Sequence, residues 1–283
     1  MKAAISGASG LIGTRLAEHL SEGGYETIKL SRNDLLLSDQ ELSDKLIGCR
    51  VIINLAGAPI IARHTPTYKI ELYNSRINTT KKLVNAIKLM GIPPVQLFSA
   101  SAMGIYSHDK VHTENSTDFA NDSLGKLCQD WENEALKAQQ ICRVVITRFG
   151  IVLDAEKGAL PTMLLPFKIG VGGKIGSGKQ MFSWIHIMDL VKVFSHLILN
   201  QKEGIYNVAS PGYLRNSQLT KAIASILKKP SFMTVPEFAL RIIYGDGAKS
   251  LTSGQAAYPE RLLNEGFEFR YRTIEEALFD LIS

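Results

Sequence analysis

Short, nearly continuous apolar runs alternate with stretches whose apolar residues recur every three or four positions, and this alternation organises the first half of the chain. The runs Lys2–Ser6, Glu26–Leu30, Val51–Asn54, Val95–Ser99, Arg143–Thr147 and, later, Ile205–Val208 predict strands. Between the first five, Leu11–Glu22, Asp39–Leu46, Ser75–Met90 and Leu124–Gln139 predict helices, the first of them stopped by Gly23-Gly24. Strands that are apolar on both faces and alternate with helices imply a parallel sheet covered on both sides, the α/β doubly wound Rossmann arrangement, with ligands at the carboxyl ends of the strands. Residues 1–150 read as the cofactor-binding domain, its sheet completed by about 186–208. Residues 151–283 read mostly as a smaller, discontinuous α+β substrate lobe. In that lobe Leu160–Phe167 is an apolar segment punctuated by proline, Gly170–Gly178 predicts a loop that covers substrate, and Asp189 reads as the N-cap of a helix Leu190–Leu199. Arg215-Asn216-Ser217 opens a helix to Leu227, Pro236–Tyr244 predicts another, and a last one begins near Thr273.

The segment Gly7-Ala8-Ser9-Gly10-Leu11-Ile12-Gly13 sits where the first strand must stop and the first helix begin. Glycines there let backbone N–H groups approach a pyrophosphate at the positive end of the helix, so all seven residues are candidate dinucleotide contacts. The end of the second strand decides which dinucleotide, because an acid there would accept from the adenosine ribose hydroxyl and repel a 2′-phosphate. The chain has Ser31 and Arg32 instead, which suit a phosphate dianion and favour NADP(H); the competing reading leaves Arg32 in solvent and gives the ribose to Asp34. Leu55-Ala56-Gly57, a small-residue turn after the third strand, lets backbone pass close to adenine and ribose, and Ile151 borders the nicotinamide.

Composition narrows the rest. The chain has 283 residues, 45% hydrophobic and 21% charged, with a net charge of +5 whose lysines and arginines are scattered. No basic block marks a nucleic-acid or membrane surface, so the expected partner is a small molecule and some of the charge is explained by an anionic ligand. Cys49, Cys128 and Cys142 are too few and too irregular for a disulfide framework or a zinc site, and no metal cluster is visible. With no export signal and no membrane-length apolar run, a reducing, cytoplasmic location is expected.

Several ordered landmarks resemble one family. They are the GxxGxxG loop, Asn54-Leu55-Ala56-Gly57, Ser99-Ala100-Ser101-Ala102, Cys128-Gln129-Asp130-Trp131-Glu132 and Leu165-Pro166-Phe167. Further along come the Gly170–Gly178 loop with Trp184-Ile185-His186, then Ser210-Pro211, Arg215-Asn216 and Pro259-Glu260-Arg261. Together they resemble, nearly end to end, the short-chain dehydrogenase/reductase superfamily in its atypical, epimerase-family branch, related to the NAD-dependent epimerase/dehydratases. The resemblance implies an NADP(H)-dependent oxidoreductase or a nucleotide-sugar-epimerase-like enzyme, with cofactor contacts at Glu71 and Arg76. A homodimer is compatible with it.

The resemblance also brings an absence. The superfamily holds the reacting oxygen with a serine beyond the fourth strand, here Ser101, and moves the proton with a Tyr-x-x-x-Lys pair whose lysine lowers the tyrosine pKa. At the corresponding positions this chain has Leu124 and Cys128. Tyr106 is the substitute proton donor carried by the same loop, with a packing aromatic as its other reading, and His186 and Arg215 are candidate substrate contacts. Two functions stay open: hydride transfer on a small polar carbonyl or alcohol, or NADP(H) binding without turnover, as in a sensor.

Overall fold

The computed structural model describes residues 1–108 and 110–282. The first half of the chain runs β1 (Lys2–Ser6), α1 (Leu11–Glu22), β2 (Glu26–Leu30), α2 (Asp39–Lys45), β3 (Cys49–Asn54), α3 (Pro66–Leu89), β4 (Gln96–Ala102), β5 (Val111–His112), α4 (Ser123–Leu136) and β6 (Arg143–Phe149). Next come β7 (Ile151–Leu153), α5 (Ala159–Lys168), β8 (Gly173–Ile175), β9 (Met181–Phe182), β10 (Trp184–His186), α6 (Ile187–Leu199) and β11 (Gly204–Val208). The chain ends with β12 (Leu214–Arg215), α7 (Asn216–Leu227), β13 (Met233–Val235), α8 (Glu237–Tyr244), α9 (Lys249–Thr252), β14 (Ala256–Ala257), α10 (Glu260–Asn264) and α11 (Ile274–Ile282).

Six strands form one parallel sheet in the order β11-β6-β4-β3-β1-β2. The chain leaves β1 toward β2 on one side and continues from β3 on the other, so the topological switch point lies between β1 and β3, where ligands bind in doubly wound sheets. Alternation along each strand explains why both faces are apolar. Ala3, Ile5, Val51, Ile53, Phe98 and Val145 pack on one face against Leu16, Leu20, Leu190 and Phe194 of α1 and α6. Their neighbours Ala4, Ile52, Leu97, Val144 and Ile146 pack on the other against Leu42, Leu83, Val84 and Ile87 of α2 and α3. Each Val, Leu, Ile or Phe so buried contributes about 1.5–3 kcal/mol before the entropy of ordering is subtracted. A second core joins α5, α7 and α11 around Trp184, Leu164, Phe167, Ile223 and Leu278.

The structure corrects four boundaries. α3 begins at Pro66 rather than Ser75, because Thr65 caps it by accepting from the Tyr68 amide and proline occupies the first turn, where its missing N–H costs nothing. The first two turns of α3 carry Tyr68, Ile70, Leu72 and Tyr73, of which Ile70 and Tyr73 face solvent, so they present no single apolar stripe to an apolar-periodicity reading. Leu160–Phe167 lies within the helix α5, with Pro166 inside it. The glycine-rich loop holds the strand β8, paired in parallel with β13. Asp189 is not a cap: α6 starts two residues earlier, and His186 Nδ1 accepts from the Met188 amide. The Asp189 carboxylate is fully buried, where it accepts from the Arg270 and Tyr271 amides and ties α6 to the segment before α11.

Candidate active site

The turn between β1 and α1 is a backbone cradle. Gly7 adopts φ +70°, and a Cβ placed there would stand 2.8 Å from the Leu55 carbonyl carbon. A Cβ on Gly13 would stand 2.3 Å from Gly7 O and 2.7 Å from Ala8 Cα. The first turn of α1 therefore presses directly onto the loop, and the loop onto the turn after β3, with Leu55 N–H donating to Ser6 O at 3.2 Å. Gly10 starts α1 without a side-chain cap, so the helix's first amides face the loop with no protein side chain to satisfy them. Ala8 is buried beneath the turn, Ser9 and Gly10 are exposed, and Leu11 and Ile12 are half-buried. Only Gly fits at Gly7 and Gly13, and what they leave is a bare concave backbone at a helix N-terminus, the donor set that a pyrophosphate requires.

At the end of β2 the competing reading of Asp34 meets its geometry. One Asp34 oxygen accepts from both the amide and hydroxyl of Ser31 at 2.7 Å, and the other pairs with Lys45. The Lys45 and Ser31 hydrogen bonds hold its carboxyl at a pKa of about 2. The carboxylate is thus spoken for, whereas Arg32 beside it is exposed and has no ion-pair partner among the described residues.

Arg76 lies beneath the Leu55-Ala56-Gly57 turn. It is buried, donates to Ala58 O at 2.9 Å and Leu72 O at 3.2 Å, and leaves 3.0 Å between its guanidinium carbon and the place a Gly57 Cβ would take. It props the turn from behind, with its guanidinium stacked over Trp131. Glu71 is on an exposed face of α3, and Ile151, half-buried, opens β7 beside Trp184.

Ser101 lies inside β4, and its hydroxyl donates to Glu132 Oε1 at 2.6 Å. Glu132 also takes a two-pronged ion pair from Arg148, Nε to Oε1 at 2.8 Å and Nη2 to Oε2 at 2.7 Å. The remaining Arg148 prong donates to Tyr106 OH at 2.7 Å, and that hydroxyl donates to Asn207 Oδ1 at 2.8 Å. Burial works against the charge on Arg148, but the bonds and charge of Glu132 outweigh it and leave the guanidinium pKa above its ordinary value. Glu132 follows Leu124 and Cys128 at four-residue spacing on one face of α4, so the carboxylate sits one turn beyond the place where a lysine would be. Sequence reasoning used Glu132 only as a landmark; the signal that could have found it was this spacing together with Arg148 at the end of β6.

Three site residues are placed away from open solvent or apart from the others. Tyr106 is fully buried, stacked on His112 at 4.7 Å, and burial raises its pKa; a phenol so enclosed packs and ties the segment after β4 to β11. His186 is 1% exposed and stacked on Tyr271 at 3.8 Å; its Nε2 is 3.2 Å from Asp280 but out of hydrogen-bond alignment. Arg215 is exposed at the start of α7 and reaches the Lys179 carbonyl at 3.3 Å. Cys128 is buried, which pushes its thiol up to about 12 and removes it as a nucleophile at neutral pH. The sequence reading passed over His108, on the loop after β4: its Nε2 is 3.8 Å from Asp122, the N-cap of α4, and its Nδ1 is 3.1 Å from the Gln255 amide.

Burial also lowers the pKa of His112, His186 and His196 below the ordinary 6.5. The unfolded chain then binds more protons as pH falls through 6.5, so the stability these rings contribute above that pH is lost below it. Burial raises Glu114 and Asp189, which act in the opposite sense, but nearer the carboxylate range. The expected result is an unfolding temperature that drops by several degrees between about pH 7.5 and pH 5.5, less so in His186→Phe, read by calorimetry.

Among the described residues no group of His, Cys, Asp and Glu is arranged to hold a metal, and no helix is long and apolar enough to cross a membrane. The profile of the NAD dependent epimerase/dehydratase family matches residues 3–209, and that of a domain of unknown function matches residues 235–281. An Arabidopsis thaliana protein named epimerase family protein SDR39U1 homolog, chloroplastic, is 35% identical over 98% of this chain and 86% of its own length. An epimerase family protein of Staphylococcus aureus is 36% identical over 99% and 98%. Among solved structures, human epimerase family protein SDR39U1 (isoform 2) with NADPH superimposes at TM-score 0.92, with 30% identity and 99% of both chains covered. A nucleoside-diphosphate sugar epimerase from Corynebacterium glutamicum reaches 0.81 at 30% identity, over 99% of this chain and 58% of that one. The cradle at the switch point and the agreement along nearly the whole length lead to one assignment: the chain belongs to the NAD dependent epimerase/dehydratase family.

Proposed function

We propose that the chain is an NADP(H)-dependent oxidoreductase or epimerase-like enzyme acting on a small carbonyl or alcohol. Residues 1–150 with β11 form its cofactor lobe, and most of 151–283 its substrate lobe. The observation that carries the reading is the bare cradle of Gly7, Gly10 and Gly13 together with a free Arg32 beside an Asp34 that is already engaged. The crystal structure of human SDR39U1 with NADPH supports the choice of cofactor. When bound, NADP(H) supplies or takes up the hydride. The backbone amides of the cradle hold the pyrophosphate, Arg32 the 2′-phosphate, and Leu55-Ala56-Gly57, braced by Arg76, the adenosine side. Ser101 gives its own proton to Glu132, so its oxygen is left as an acceptor, oriented to receive a hydrogen bond from a substrate hydroxyl. For proton transfer we nominate His108, the imidazole between Asp122 and Gln255, in place of the enclosed Tyr106.

Replacing Arg32 by alanine is expected to weaken NADPH by roughly 10- to 100-fold, the worth of about 1.5–3 kcal/mol for a charge-assisted contact, and to leave NADH unchanged. Equal losses for both cofactors would refute its role. Turnover is tested by following NADPH oxidation against a carbonyl panel, with His108→Gln expected to slow any activity found by roughly a hundredfold or more. A second reading, NADP(H) binding without turnover, is favoured by Leu124 and the inert Cys128 in the places of the Tyr-x-x-x-Lys pair. Tight NADPH binding with no oxidation across the panel would select it.

A further inference from the structure

The helix α8 departs from the usual burial of apolar helices. Six of its eight residues, Phe238, Ala239, Leu240, Ile242, Ile243 and Tyr244, are apolar or aromatic, yet only Leu240 is buried. Phe238 is 67% exposed and Ile242 69%, one turn apart on the same stripe. A helix apolar round most of its circumference belongs in a core or against a partner, and contiguous exposed apolar surface marks a binding face.

The anchors of α8 indicate what that partner is. At its start, Glu237 packs so closely on Gly176 of the glycine-rich loop that a Cβ there would stand 2.5 Å from its carboxylate oxygen. At its end, the Tyr244 carbonyl accepts from the His64 amide at 3.3 Å, Asp246 pairs with Lys69, and Gly247 rests on Ala62 O. The loop holding Ala62 and His64 leaves β3 at the carboxyl edge of the sheet, the edge that carries the cradle. α8 is therefore a bar from the glycine-rich loop to the cofactor-side loop. Arg63 beside it and Arg241 on it are exposed, with no ion pair among the described residues, while Asp246 is taken by Lys69.

Resting on the cofactor reading above, we propose that α8, anchored to the loop that follows β3, is the bar against which the substrate lies and that the substrate is a carbonyl or alcohol with an apolar body and an anionic group. A sugar's hydroxyls would lie against Phe238 and Ile242 without hydrogen-bond partners, whereas an apolar body is matched to that stripe and an acidic group to Arg63 or Arg241.

The test uses the full chain loaded with NADPH and the apolar anion 1-anilinonaphthalene-8-sulfonate, followed by its fluorescence, with decanoate and UDP-glucose as competitors. One saturable site is expected, displaced by decanoate and not by UDP-glucose. Binding should weaken at least tenfold in the Phe238→Ser, Ile242→Ser double variant, whose NADPH affinity stays at the wild-type value. Displacement by UDP-glucose alone, an affinity indifferent to the two substitutions, or absence of probe binding, as when a second copy covers α8, would each overturn the proposal. Failure of the wild-type chain to bind NADPH at all would instead strike the cofactor reading beneath it.

Discussion

Replacing Gly13 by valine is expected to lower NADPH affinity by at least about a hundredfold, and to lower the unfolding temperature as well. The reason is backbone against backbone. A Cβ at Gly13 meets Gly7 O at 2.3 Å and Ala8 Cα at 2.7 Å, neither of which can rotate away as a side chain would. To admit it, α1 must lift off the loop or the loop must move, and either shift carries the cradle amides away from the pyrophosphate they would hold. Overpacking of this kind costs about 1–3 kcal/mol or more, and 3 kcal/mol is roughly a hundredfold in affinity. Gly104 supplies the control, since a Cβ there meets nothing within 4 Å, and Gly104→Ala should keep both properties. Titration of nucleotide fluorescence with each variant measures the difference. Wild-type NADPH affinity in Gly13→Val would mean that the cofactor does not lie over this turn.

The second large effect is at Glu132. Its side chain is 6% exposed and that of Arg148 2%, so removing the carboxylate leaves a guanidinium buried without its counter-charge. Glu132→Leu is expected to destabilise the protein by about 3–5 kcal/mol, the usual consequence of breaking one partner out of a buried pair. Restoring apolar balance with Arg148→Met in the same chain should return much of that loss, because two well-packed apolar side chains often match a buried ion pair. Urea unfolding midpoints of the two single variants and the double variant measure the coupling directly. A Glu132→Leu protein as stable as the wild type would show that the pair does not hold the interior together. Because Ser101 donates to the same carboxylate, these variants also change what its hydroxyl can offer a ligand, so stability and NADPH binding are to be read separately.

Much of the fold was legible in the order of residues because its signals are local. Ala3-Ala4-Ile5 and Val51-Ile52-Ile53 are apolar at consecutive positions, which only a strand covered on both faces tolerates, and Gly7, Gly10 and Gly13 stand where a strand gives way to a helix. α3 was read short because the apolar residues of its first two turns, with Ile70 and Tyr73 exposed, form no single stripe, and its start rests on a Thr65 cap and a Pro66. Asp189 was misread for a related reason: a carboxylate at a helix start has the same local appearance whether it caps that helix or, as here, receives amides from residues some eighty positions away.

The sequence by itself determined the parallel sheet, the place of the cradle and the absence of Tyr-x-x-x-Lys, each a matter of residue type at short spacing. Only the tertiary structure decided which polar groups were already satisfied. Ser101, inside β4, and Tyr106, just beyond it, are five residues apart, yet the fold turns the phenol into a bridge to Asn207 and aims the serine hydroxyl's hydrogen bond at Glu132. It likewise closes Asp34 with Lys45 and leaves Arg32 open. A side chain's chemistry depends on partners brought from distant segments and on the water those partners exclude, and neither is written in its neighbours along the chain.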